Sequence, residues 1–249
     1  MNIDLALMTG IDIPFPEAEM TLHQPTIKEI AFLGEDTFFS GCEILNFSKD
    51  ILEEKDKVSL ENKSDFDILI AILRERNAVM QKNRSCVFMV LALLFPSYAI
   101  SLKKDSIALK KEGTEEEEHI INKNNVDTCQ SIIKQMFSFG PDDDQNDFNP
   151  SGQLANRIAE KLRKRYNKLA ELENKTQKID VYSRYASVLA IGLNLDIKQV
   201  LNYTPYQLFD QLLRYNFKSN SDIYLQAKMA GAKDMKDPED WMKDVHSKS

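Results

Sequence analysis

The sequence predicts a mostly α-helical protein with a small β element, an α+β chain whose C-terminal half is helical throughout. Three observations carry that expectation. Apolar residues recur at intervals of three and four over most of the chain, which lines one face of a helix. A continuous apolar run at residues 86–95 stops at Pro96 and reads as a buried core helix. Around the polar turn Lys103-Lys104-Asp105, residues 98–102 and 106–109 alternate instead, and together they read as a β-hairpin.

Taken in order, the first 25 residues look extended, because Pro14 and Pro16 disfavour helix in the residues before them. A short strand is expected at residues 20–23. Thr26 then supplies a capping hydroxyl for a helix over residues 27–33, and Glu35-Asp36 open a second one with Phe38, Phe39, Cys42, Leu45 and Phe47 inward. Ser64, with Asp65 and Asp67 behind it, starts a helix that runs to about residue 76. After the buried helix and the hairpin, Glu115 to Glu118 form a solvated acidic tip. An amphipathic helix follows at 125–139, with Val126, Cys129, Ile132, Ile133 and Met136 inward.

The C-terminal part reads as consecutive helices at 153–174 and 181–193, then a short one capped by Asp196. Thr204-Pro205 is a strong start, a capping hydroxyl with proline at the first helical position, for a helix to about residue 217. Ser221-Asp222 start another that Gly231 ends, and Asp237-Pro238-Glu239 start a last one carrying Trp241.

The chain reverses charge near residue 150. Residues 1–153 hold 15 Lys and Arg against 27 Asp and Glu, and residues 154–249 hold 17 against 12. The balances, −12 and +5, make up the net −7. The proline-bounded acidic stretch between them divides the chain into an acidic α+β region (1–140), a linker (141–150) and a helical region (151–249). Opposite charge on two halves suits a partner-binding protein better than a symmetric catalyst.

Few function classes survive the motif search. Asp142, Asp144 and Asn146 fall at the first, third and fifth positions of a calcium loop, but Asp147 stands where glycine must turn the chain and Gln153 where a bidentate Glu belongs. No metal and no cofactor is expected. His23, His119 and His246 are isolated, and His23 beside Gln24-Pro25 reads as a satisfied turn histidine. There is no HExxH, Walker glycine loop, GxGxxG or GxSxG, so no catalytic residue is assigned and an enzyme is disfavoured. Its rival form would be a divalent-metal-dependent hydrolase or nuclease built from scattered carboxylates. Cys42, Cys86 and Cys129 form no CxxC pair and read as free thiols in a reducing cytosol. The opening Met1-Asn2-Ile3-Asp4-Leu5 has no signal-peptide character, and no apolar run approaches the ~20 residues that cross a bilayer. A soluble, cytoplasmic protein without a membrane partner is the expectation.

The clearest candidate surface is residues 154–172. Ile158, Leu162, Tyr166 and Leu169 make one stripe on a helical wheel, and Arg157, Lys161, Lys164 and Lys168 a second one roughly 120° away. The basic stripe suits phosphates or an acidic protein surface; a solvated face is the plainer reading. No aromatic interleaves with it, and the −12 half repels a phosphate backbone, so a protein partner is favoured over nucleic acid. Tyr206 and Trp241 join the candidate partner-binding residues, because Tyr and Trp are favoured at interfaces.

Several segments resemble proteins of the tail modules of tailed bacteriophages and prophages. They are Leu22-His23-Gln24-Pro25-Thr26-Ile27-Lys28-Glu29-Ile30, Phe148-Asn149-Pro150 before a basic helix, Thr204-Pro205-Tyr206-Gln207-Leu208-Phe209-Asp210, Arg214-Tyr215, Ala230-Gly231-Ala232-Lys233 and Trp241-Met242. The family resembled is the tail assembly chaperones. The resemblance implies a non-enzymatic protein of the host cytoplasm that binds tape measure or tail tube subunits and prevents premature polymerisation. A structural virion protein of the tail or neck is the nearby alternative.

Overall fold

A computed structural model describes residues 3–46, 63–75, 78–111, 113, 118–137, 181–231, 237, 238, 240 and 242. The described chain is mostly α-helical with two small antiparallel sheets. The acidic stretch 141–150, the helix expected at 153–174 and the last expected helix with Trp241 lie wholly or largely outside the described residues.

The N-terminal residues are not all extended: helix α1 (Ile3–Thr9) precedes the proline segment. It forms because Ala6 and Leu7 are buried, and it stops at Gly10, whose φ of 70° lies in the left-handed region open to glycine. Strands β1 (Ile13–Phe15) and β2 (Met20–Leu22) then pair with Ile13 opposite Leu22 and Phe15 opposite Met20. All four of those side chains face the core, while Pro14 and Thr21 face out. Buried Gln24 ties this segment together by donating from Nε2 to the Ala6 carbonyl at 2.8 Å.

Helix α2 (Ile27–Leu33) begins with a complete capping box. The Thr26 hydroxyl accepts from the Glu29 N–H, and the Glu29 carboxylate accepts from the Thr26 N–H at 2.7 Å. Two first-turn N–H groups without intrahelical acceptors find them far along the chain, Ile27 on the Tyr203 carbonyl (2.8 Å) and Lys28 on that of Leu201 (2.9 Å). Helix α3 (Glu35–Leu45) packs along α5 (Ala78–Leu94), and α4 (Asp65–Arg74) packs against α5 as well. A second capping box, Ser64 with Asp67, opens α4.

The expected hairpin is β3 (Tyr98–Leu102) and β4 (Ile107–Lys111), with Leu102 opposite Ile107. A third strand, β5 (His119–Ile121), adds to β4 with Ile107 opposite Ile121. Glu118, at the edge of the acidic run, pairs with Lys103. Helix α6 (Val126–Met136) buries Val126, Cys129, Ile132, Ile133 and Met136.

After residue 180 come α7 (Val181–Leu193), α8 (Ile197–Val200, capped by Asp196) and α9 (Pro205–Met229). The break expected at Ser221-Asp222 does not occur, and α9 runs for 25 residues. Asp222 takes Lys218 one turn back at 2.7 Å, so its carboxylate is used along the helix and caps nothing. One apolar core joins both halves of the chain: Tyr182, Ala186, Leu189, Val200, Tyr206 and Leu208 belong to the cluster that holds Phe15, Phe38, Leu91 and Ile133.

Candidate interaction surface

The helices after residue 180 are placed by two contacts that advance in step. The Phe209 ring lies 6.0 Å from that of Tyr182 and 5.7 Å from that of Tyr185, and further along Tyr215 covers Gly192. From the first contact to the second both chains rise, so α7 and α9 run side by side in the same direction. Helix α7 ends at Leu193, level with about residue 216 of α9. The remaining turns, at 1.5 Å per residue, carry α9 about 20 Å past its neighbour.

The start of α7 is fixed from the N-terminal half. Buried Glu35 accepts the Tyr182 N–H at 3.0 Å and the Ser183 N–H at 3.3 Å. A carboxylate at the positive end of a helix satisfies two donors that the first turn leaves unpaired. Burial, with the Cys42 thiol and the Glu35 carboxyl nearby, pushes the Tyr182 phenol well above its ordinary value.

The end opposite that anchor exposes apolar side chains. On α7, Val188 and Ile191 share a face, and Ile191 is 81% exposed. On the α9 overhang, Lys218, Asp222, Leu225 and Met229 follow at spacings of four, three and four, which places them within about 60° on the helix. All are exposed, Met229 at 89%. Ile223 is exposed on another face, about 160° around from Leu225. Tyr224, between these faces, is buried under Lys228 and donates its hydroxyl to Asp237. Exposed apolar faces of this kind mark contact sites in soluble proteins.

Residues 171–246 match the YomV second domain. That family is phage-derived, and the matched segment, under half of the chain, contains α7, α8, α9 and the apolar end just described. No curated protein and no solved structure matches the chain.

Among the residues expected to bind a partner, Tyr206 needs correction. It is 7% exposed and belongs to the apolar core, on the face of α9 that packs inward. Arg157, Lys161, Lys164, Lys168 and Trp241 lie outside the described residues. The exposed stripe of α9 has a trace in the sequence, the four-three-four spacing of Lys218, Asp222, Leu225 and Met229, which the sequence reading missed.

His23 stands between two carboxylates, Nδ1 3.0 Å from Asp12 Oδ1 and Nε2 3.5 Å from Glu29 Oε2. Burial raises the Glu29 carboxyl, but the Thr26 N–H and hydroxyl and the neighbouring His23 outweigh it and hold the group below its ordinary value. Cys42, Cys86 and Cys129 are free and buried, and burial pushes the Cys42 and Cys129 thiols up to about 12. Thiolate, the reactive form, is therefore scarce at both. Among the described residues no group of three His, Cys, Asp or Glu is placed to hold a metal ion, and no helix is long and apolar enough to cross a membrane.

Proposed function

We propose that this chain is a non-enzymatic phage protein that holds tail tube or tape measure subunits during assembly, docking them on the apolar face of α7 around Val188 and Ile191. The observation that carries the reading is the coincidence of two things in one segment: the similarity of residues 171–246 to a phage-derived domain, and the exposed apolar face of α7 within it. A holding protein must offer apolar surface to a subunit whose own assembly surface is apolar, and stay soluble through charge elsewhere. The −12 balance of residues 1–153 supplies that charge.

Co-expression of the full chain with the tape measure or tail tube protein of the same phage tests it. A soluble complex that co-purifies, and that Ile191→Glu weakens at least tenfold, is the expected result. Tail proteins that behave identically with and without the chain overturn the reading. Recovery of the chain from purified particles in fixed ratio to tail subunits replaces it with a structural role.

A further inference from the structure

We infer that the α9 overhang is a self-association surface, on which a second copy of this chain pairs through the stripe Lys218, Asp222, Leu225 and Met229. The inference uses a different face from the subunit-docking reading above and stands without it. Lys218 and Asp222 are half-exposed, 53% and 51%, one turn apart at the near end of the overhang. A two-fold axis between them sets two copies of α9 antiparallel. Lys218 of each then meets Asp222 of the other, and both pairs form at once, as a self-complementary interface requires.

The same axis settles where the apolar tip goes. Residues on facing helices then pair symmetrically about position 220, so Leu225 of one copy comes level with Tyr215 of the other, and Met229 with Gln211. Tyr215 and Gln211 are half-buried, with the Tyr215 ring also set against Gly192 of its own α7. One turn before Gln211 on the same face, Gln207 donates from Nε2 to the Met8 carbonyl at 2.9 Å, which sets α1 against that end of α9. Met8 and Leu5, three apart on α1, are both exposed there. The tip of one copy thus arrives beside the exposed apolar residues of α1 in the other. Charge fixes the register, and apolar burial supplies the driving force.

The test is a charge exchange read by mass. Light scattering on the purified full chain at tens of micromolar should give twice the chain mass. Lys218→Glu alone and Asp222→Lys alone should each halve it, because like charges then face each other at both ends of the axis. An equimolar mixture of the two variants should recover the doubled mass. In the mixed pair the glutamate introduced at position 218 faces the lysine introduced at position 222, and the unaltered Asp222 faces the unaltered Lys218. Within each variant the internal pair stays broken, so recovery in the mixture reports contact between chains alone. Helical circular dichroism equal to that of the unaltered chain shows that both variants fold. A chain that is monomeric throughout, single variants that keep the doubled mass, or a mixture that fails to recover it overturns the proposal. A chain that gains mass only when a tail protein is added assigns the stripe to that protein instead.

Discussion

The ring of Tyr215 fills the space that a side chain at Gly192 would occupy: a Cβ built there stands 2.5 Å from Cζ and 2.9 Å from both Cε atoms. That close approach lets α9 lie against α7 before it runs on past the end of α7, so the packing of the two helices depends on a missing side chain. Gly192→Ala should lower the melting temperature. Overpacking costs about 1–3 kcal/mol, against roughly 1 kcal/mol gained by replacing glycine in a helix. In a Tyr215→Ala background the obstruction is gone, and the same substitution should become neutral or stabilising. A double-mutant cycle by thermal or urea unfolding reads the coupling; additivity of the two changes would count against this packing.

Glu35 makes a second long-range joint, the one that starts α7. A hydrogen bond to a charged group contributes about 1.5–3 kcal/mol, and removing one partner leaves the buried donors unsatisfied. Glu35→Ala should therefore cost more than Glu35→Gln, which keeps an acceptor oxygen. The amides of Tyr182 and Ser183 should exchange with solvent faster than the rest of α7 in the alanine variant. Unchanged protection at those two amides would remove the anchor from the account.

Beside that joint, the Tyr182 hydroxyl is buried with no hydrogen-bond partner among the described residues. A buried polar group left unpaired costs about 1–3 kcal/mol, and phenylalanine keeps the ring that packs on Phe39 and Phe209. Tyr182→Phe should raise the melting temperature. A fall would mean that the oxygen has a partner after all.

What the sequence revealed of this fold was local. Thr26, Ser64, Asp196 and Thr204 announce helix starts because a hydroxyl or carboxylate at the cap answers a fixed set of unpaired N–H groups within three residues. Residues 98–109 announce their hairpin because alternation needs only neighbours. Helix α1 was hidden, since its seven residues are stabilised by burying Ala6 and Leu7 and by Gln24 reaching back to Ala6, eighteen positions away. Strand β5 is three residues beside an acidic run, too short to show a period. The candidate surface was harder still. Tyr206 was misplaced because residue type speaks of interfaces in general, whereas its burial depends on which way α9 faces; the exposure of Ile191 and Met229 depends on how far α9 outruns α7.

Acid should weaken the two capping boxes in a predictable direction. The Glu29 and Asp67 carboxyls are held below their ordinary values of 4.5 and 3.8. At Asp67 the Ser64 hydroxyl and then the Ser64 N–H are the leading causes. A folded-state value below the unfolded one gives stability that is fully present above the unfolded pKa and lost as pH falls through the folded pKa. Thr26→Ala should cost about 1 kcal/mol near neutrality, the usual worth of a cap. That difference from the unaltered chain should shrink as the pH drops below 4.5. Urea unfolding across that range reads it, and a difference that stays constant or grows on acidification contradicts the assignment.

Gly41 poses the same kind of question as Gly192 with a different answer. A Cβ at 41 would stand 2.6 Å from the Cys86 carbonyl oxygen and 2.6 Å from Val90 Cγ2, so one of the two obstacles is backbone. At Gly192 a half-buried ring can swing aside, but here α3 and α5 must separate, and between them they hold Phe38, Cys42, Leu45, Val87, Val90 and Leu94 in the core. Gly41→Ala should therefore destabilise more than Gly192→Ala, at or beyond the upper end of the ~1–3 kcal/mol overpacking range. Rescue separates the two cases. Val90→Ala removes only the side-chain obstacle and should restore part of the loss at 41, less what the deleted methyls cost, whereas Tyr215→Ala should abolish the penalty at 192 outright. Equal and complete rescue at both sites, measured by urea unfolding of the four single and two double variants, would show that the α3–α5 backbones are free to adjust and that Gly41 is not what sets their separation.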